Sequence, residues 1–359
     1  MAGEQKKTLC VALVCDERLA NQAGAVALKF HNTWKVDAHI FIETASPQNA
    51  YSAKLNVPGV IYHFNELLPK LGTQLPKNDR YPNAVWGRLL LAGALSEYDK
   101  IFYVDVDILP GPKPLDIENI ELPNGIGLVS NYWTRLHDRL GHRRTMDHMS
   151  MLGITADEYF NTGSILFDPK LIQIDEVTEA LKEFLAQFAG KIKSPDQDFL
   201  AYHYRGRVTQ LSANLNFIDP LMGFGFEGDA IPAIRHYVSK PKPYEKLYAF
   251  RHTKQLWAAQ QEFQDLLRQA NLPAELLTPS RKPKLSKRLK TCVRMLTANS
   301  PLGKHRKIRE QAKWHQTRSI LLELLLADQP NCADTQTISW VGDCPQTHWT
   351  GITFEQAHK

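Results

Sequence analysis

Apolar and polar positions along the chain alternate between two periods. Thr8 to Cys15 is an apolar run of the length expected for a strand buried on both faces. Asn21 to Trp34 follows, with Ala23, Val26, Ala27, Phe30 and Trp34 recurring near helical spacing. Val36 to Ile42 alternates, and Gly59 to Phe64 is rich in strand formers. Trp86 to Leu95 predicts a strongly apolar helix, followed by a turn at Glu97 to Lys100 and a strand from Ile101 to Asp105. Strand and helix repeated in this way predict an α/β fold, a parallel sheet covered by helices. Beyond Asp107 the pattern loosens. Ile126 to Ser130 and Gly163 to Phe167 predict core strands, Gly190 to Tyr204 an acidic turn and a helix, and Arg207 to Leu211 a further strand. The proline-rich stretch Ile231 to Pro243 predicts a loop or edge.

Composition narrows the class. The chain has 359 residues and 43% hydrophobic content, too apolar for disorder. Its longest apolar run, Ser319 to Ala327, is interrupted by Glu323 and falls short of the ~18 residues a membrane-spanning helix needs. The first apolar stretch runs directly into Asp16, Glu17 and Arg18 with no small-residue cleavage pattern, so a first strand is expected there rather than a signal peptide. Cys10, Cys15, Cys292, Cys332 and Cys344 form no CxxC pair, which argues against a disulfide framework or zinc module and for reduced thiols and a cytoplasmic location.

The net charge of +5 hides a division. Between Arg281 and Arg318 there are 13 Lys or Arg and one acid, Glu310, so the rest of the chain is mildly acidic. A soft boundary near Leu277 therefore separates residues 1–277 from a basic, mainly helical extension, 278–359. Within it Leu285, Leu289, Cys292, Val293 and Leu296 share one helical face, with Lys287, Lys290 and Arg294 largely outside it, and Trp314 reads as an interfacial anchor. An anionic membrane surface is the favoured partner, which would place the protein peripherally on the inner face of a membrane. Nucleic acid is the competing partner, and no motif of that class supports it. A solvated helix packed on the body through its leucines is the plain alternative.

The most informative tripeptide is Asp105-Val106-Asp107, at the end of a predicted strand. Ligands of open α/β sheets bind at the carboxyl ends of strands, and two carboxylates one residue apart there can address one Mg²⁺ or Mn²⁺. A solvated turn with two aspartates is the competing reading.

The run from Leu95 to Pro110, LSEYDKIFYVDVDILP, resembles the signature of glycosyltransferase family 8, retaining enzymes that include glycogenin and bacterial lipooligosaccharide galactosyltransferases. Further matches follow the family's order. Arg88 precedes the aspartates. Phe160 to Ser164 is similar to its F-N-A-G segment, and Asp196-Gln197-Asp198 to its D-Q-D. His236 to Tyr244 is similar to its H-x-x-G-x-x-K-P-W. The resemblance spans roughly Thr8 to Tyr244 and implies a GT-A type fold, a Rossmann-like mixed, mainly parallel sheet flanked by helices.

It also implies a site. Asp105, Asp107 and His236 would hold Mn²⁺ or Mg²⁺, with Lys242 meeting the diphosphate of a UDP-sugar. Gln197 would lie near the anomeric carbon, Asp196 would bind donor-sugar hydroxyls, and Asn161 would hold that sugar or orient the cluster. Asp16 would contact the nucleotide, Arg88 would reach the donor from below, and Val106 and Ser239 would line it. Ser239 and Tyr244 depart from the family's glycine and tryptophan, and CDERLA lacks its D-x-x-Y. Asp198 is also read as a helix cap, and Asn131 as a sugar-site candidate. The implied reaction is retaining transfer of a hexose from a UDP-sugar to a saccharide or lipid-linked saccharide acceptor. A two-metal nucleotidyltransferase and a catalytically inactive surface-binding protein of the same fold are the alternatives.

Overall fold

The structure is a computed structural model. It describes residues 7–45, 56–76, 81–114, 116–226, 231–247, 254–278 and 301–328, and the single positions 286, 289, 293, 297 and 300. Seven strands form one sheet in the order β3-β2-β1-β4-β7-β6-β8. They are β1 Leu9–Asp16, β2 Asp37–Glu43, β3 Val60–Phe64, β4 Lys100–Val104, β6 Ile126–Ser130, β7 Phe160–Phe167 and β8 Thr209–Leu211. β1 to β4 pair in parallel, while β7 runs antiparallel to both its neighbours. Three short strands make a second sheet in the order β5-β10-β9: β5 Ile108–Pro110, β9 Phe217–Ile218 and β10 Ile234–His236.

The apolar continuity of the strands has a direct cause, because helices cover both faces of the large sheet. In β1, Leu9, Val11, Leu13 and Cys15 enter one core, while Cys10, Ala12 and Val14 enter the other. β4 divides in the same way, with Phe102 and Val104 on one side and Ile101 and Tyr103 on the other. A strand with no solvent face has no position left for polar alternation. Helix α1, Ala20–Trp34, buries Ala23, Val26, Ala27, Phe30 and Trp34 against the first core. Cys10 and Cys15 are free, buried thiols.

Two expected elements differ. The apolar segment Trp86 to Leu95 is a 3₁₀ helix over Asn83–Leu90 followed by one α-helical turn, Leu91–Ala94. Residues three apart eclipse in a 3₁₀ helix, so Ala84, Gly87 and Leu90 form one buried row. A Cβ on Gly87 would stand 3.0 Å from Val14, so this row approaches β1 closely. Residues Ile231 to Pro243, expected as loop or edge, contain β10, which is the central strand of the small sheet.

The chain past Gln269 remains attached to the body: Leu277 bridges Glu245, and its N–H donates to the Tyr244 carbonyl. The helix Pro301–Asp328 buries Leu321, Leu324 and Leu325 in the first core. Its Trp314, expected as a membrane anchor, packs against Phe224, ring centroids 5.5 Å apart. Among the described residues no helix is long and apolar enough to cross a membrane. Leu285, Cys292, Leu296 and the segment 331–359 lie outside the described residues.

One buried polar chain crosses the sheet edge. His39 of β2 meets His63 of β3 at 3.0 Å and the Tyr98 hydroxyl at 2.9 Å, and Tyr98 donates to Asp37 at 2.7 Å. Burial, reinforced by His63, lowers the His39 pKa from 6.5 to about 4. The unfolded chain takes this proton near 6.5 and the folded protein only near 4, so protonation between those values favours unfolding. Thermal midpoints should fall as pH drops from 6.5 to 4, and less steeply in His39→Gln. Part of the slope persists through His203, lowered to about 4 by burial and Arg207. An unchanged slope in His39→Gln would refute the assignment.

Candidate active site

The site forms where the chain leaves the large sheet for the small one. β4 ends at Val104, the Asp105 N–H donates to the Gly163 carbonyl, and β5 begins at Ile108. Asp105 and Asp107 therefore stand at the junction of the two sheets. β10 pairs antiparallel with β5, His236 opposite Ile108, and the Tyr237 N–H donates to the Asp107 carbonyl. That pairing carries His236 over more than a hundred residues to the aspartates.

One donor atom from each of Asp105, Asp107 and His236 lies within 4.8 Å of the other two. His236 Nε2 is 3.3 Å from Asp107 Oδ1 and 3.9 Å from Asp105 Oδ2. Two carboxylates and an imidazole suit Mn²⁺ or Mg²⁺, though magnesium favours an all-oxygen set. The residues present therefore fit a divalent cation.

Two cations, Arg88 buried and Lys242 half-buried, compensate the acids. Lys242 Nζ donates to Asp107 Oδ2, to the Tyr237 carbonyl at 2.8 Å and to the Val238 carbonyl at 2.9 Å. Burial alone would raise the Asp107 pKa, but Lys242 and His236 outweigh it and hold the carboxyl far below its usual range. Burial opposes the charge on Lys242, and Asp107 reverses the balance, so its pKa rises. Arg88 holds Asp105 Oδ1 at 3.0 Å through Nη2, and through Nη1 reaches Asp196 Oδ2 at 2.8 Å and the Thr162 carbonyl at 2.9 Å. Its guanidinium lies 4.5 Å from the centroid of the Tyr103 ring, and the Tyr103 hydroxyl donates to Asp105. Asp196 also accepts from the Thr162 hydroxyl at 2.6 Å, yet burial prevails over Arg88 and its pKa is raised.

The remaining sequence candidates fall in different places. Gln197 is half-buried in the first turn of the helix Pro195–His203, beside Asp196. Asn161 is half-buried on β7. Asp16 ends β1, and its buried Oδ1 has no hydrogen-bond partner, which suits a group awaiting a ligand. The Val106 side chain is buried in the apolar core, so only its backbone could face a donor. The Ser239 N–H donates to Asp219 Oδ1 at 3.2 Å. Asp198 is fully buried, and its carboxylate is engaged by the protein itself: it accepts from the Lys193 and Ser194 N–H groups, from the Tyr159 hydroxyl, and meets His148 at 3.0 Å. Asn131 caps the helix Tyr132–Arg139, accepting from the Thr134 N–H at 3.0 Å.

Tyr103, Thr162, Gly163 and Asn216 were not identified as site residues from sequence. A Cβ on Gly163 would lie 2.0 Å from His236 Cε1 and 2.4 Å from Nδ1, so this glycine makes room for the imidazole ring. Asn216, nearly fully buried, meets His236 Nδ1 at 2.8 Å through Oδ1.

Comparison with known proteins agrees with this architecture. The galactosyltransferase LgtC, crystallised with donor and acceptor sugar analogues, superposes with a TM-score of 0.57 at 18% identity, covering 78% of this chain and 99% of that one. The bifunctional glycosyltransferase WbbM gives 0.56 at 17% identity, over 77% of this chain and 51% of that one. The fold is accordingly of GT-A type. A putative glycosyltransferase of Haemophilus influenzae is 22% identical over 134 residues, 37% of this chain and 39% of its own length. The chain thus spans well under half of that curated relative. Residues 10–247, about two thirds of the chain, match the model of glycosyl transferase family 8, and the chain belongs to that family.

Proposed function

We propose that this glycosyltransferase transfers a hexose from a UDP-sugar to a saccharide or lipid-linked saccharide with retention of configuration, using a divalent cation held by Asp105, Asp107 and His236. The convergence of these three side chains beside Lys242 carries the reading. When bound, the cation neutralises charge on the diphosphate leaving group.

The protein's own groups define the rest. Lys242, kept protonated by Asp107, can turn one of its donors to the diphosphate. Asp16 offers its unsatisfied oxygen to the nucleoside. Arg88 and Thr162 both engage Asp196 Oδ2, which leaves Oδ1 for a hydroxyl of the donor sugar. Retention in glycosidases normally uses a free carboxylate nucleophile beside the sugar. Here Asp196 is clamped and Gln197 is an amide, so a same-face displacement is favoured. The bond from the anomeric carbon to the phosphate oxygen breaks and the bond to the acceptor oxygen forms. The acceptor's proton passes to the leaving phosphate.

For the basic extension, 278–359, we propose contact with anionic lipid headgroups. Leu289 and Val293, one helical turn apart, are 57% and 56% exposed, among the lysines and arginines of residues 281–318. Trp314 has no anchoring role in this reading.

Incubated with a panel of nucleotide sugars and Mn²⁺, the protein should slowly hydrolyse one UDP-sugar and release a sugar of retained anomeric configuration. Asp107→Ala should abolish this; metal-independent turnover or an inverted product would sink the reading. Gly163→Ala should weaken Mn²⁺ binding by about a hundredfold, because its methyl group displaces the His236 ring. Calorimetric titration showing wild-type affinity would contradict that placement. Vesicles containing phosphatidylglycerol should co-sediment the wild type, and Lys287→Glu/Lys290→Glu/Arg294→Glu should release it; equal sedimentation would overturn the lipid proposal.

A further inference from the structure

The hydrogen bonds on the Nδ1 side of His236 leave each atom one role. The Gly163 N–H donates at 3.0 Å to Asn161 Oδ1, so that end of the Asn161 amide must be oxygen. Asn216 presents its other amide to this oxygen at 2.8 Å and to the Asn161 backbone carbonyl at 3.3 Å. Both atoms only accept. The end of Asn216 that faces them must therefore be the NH₂ group, and the opposite end, 2.8 Å from His236 Nδ1, must be oxygen. An amide oxygen cannot donate, so Nδ1 carries the proton. In the neutral ring the lone pair is then on Nε2, the nitrogen that faces Asp105 and Asp107.

We infer that Asn216 is a positioning residue, holding His236 in the Nδ1–H tautomer with Nε2 aimed between the two aspartates. The fold supplies the placement. Asn216 ends the 3₁₀ turn Ala213–Asn216, and β9 follows at once and pairs in parallel with β10, His236 opposite Ile218. The Ser164 hydroxyl ties β7 to the same turn through the Leu215 carbonyl. Asn216 thereby also couples the imidazole to Asn161, whose oxygen is fully engaged and whose NH₂ end is left for the donor sugar. The inference rests on the metal reading only for what Nε2 would bind. The tautomer belongs to the metal-free protein.

The test uses full-length protein carrying ¹⁵N-histidine, without metal, at a pH where His236 is neutral. Its signals are assigned by their loss in His236→Gln. Long-range ¹H–¹⁵N spectra should show a protonated Nδ1 and an unprotonated Nε2. Asn216→Ala should release the tautomer preference and weaken Mn²⁺ binding, measured by titration calorimetry, about 10- to 100-fold. Asn216→Asp, which keeps an acceptor for Nδ1–H but gives up the donor to Asn161, should restore the tautomer without the coupling to Asn161. A wild-type His236 protonated on Nε2 when neutral would overturn the inference, and so would an Asn216→Ala protein with unchanged tautomer populations. Should Asn216→Ala fail to fold, the wild-type and Asn216→Asp spectra decide the question. Absence of Mn²⁺ binding by the wild type sinks the metal reading instead, while the tautomer result still judges Asn216.

Discussion

Three carboxylates, Asp105, Asp107 and Asp196, crowd the junction between the two sheets, and two cations beside them make that crowding tolerable. Arg88 bridges Asp105 and Asp196, and Lys242 holds Asp107. Buried charges of one sign would otherwise repel one another and lose their hydration without return. Because guanidinium is planar and forked, Arg88 can serve two acids and a backbone carbonyl at once, which an ammonium could not do in the same geometry. The remaining features follow from this balance. The 3₁₀ helix brings Arg88 beneath the aspartates, the first turn of the helix Pro195–His203 brings Asp196, and the loop after β10 brings Lys242.

The two sheets divide the work. The large one is a rigid floor with apolar side chains on both faces, and it fixes the end of β4. The small one consists of three short strands, yet it places His236 and Asn216. Its backbone pairing joins segments that are far apart in sequence, so the position of His236 depends on a few long-range hydrogen bonds rather than on local propensity. Gly163 completes the fit by omitting the one carbon that would occupy the ring's space.

Much of the large sheet was legible beforehand because strands buried on both faces, and helices over them, impose periods that a sequence displays openly. Asp105 and Asp107 were legible for a related reason: acids that directly follow an apolar strand must meet either solvent or a cation. Over Trp86 to Leu95 the sequence does not separate an α-helix from a 3₁₀ helix, since 3.0 and 3.6 residues per turn are nearly indistinguishable over two turns. β10 lies in a stretch whose sequence predicts a loop or edge, because three residues set among prolines carry no period. Asp198 was compatible with catalysis or capping, and only its four partners show a carboxylate engaged by the protein itself. Asn216 gave no signal at all; a buried asparagine and an exposed one look alike in a sequence.

The sequence by itself determined the fold class, the position of the acidic pair at a strand end, the family resemblance of the segments that follow it, and the segregation of positive charge near residues 281–318. Each of these is a local property, written in periodicity, composition or spacing. Tertiary structure alone decided that His236 meets Asp107, that Arg88 is shared between two acids, that Trp314 packs inward on Phe224, and that Asn216 meets the histidine's Nδ1. Those outcomes depend on atoms brought within about 3 to 6 Å across long stretches of chain, where hydrogen bonds, ion pairs and ring contacts first become possible.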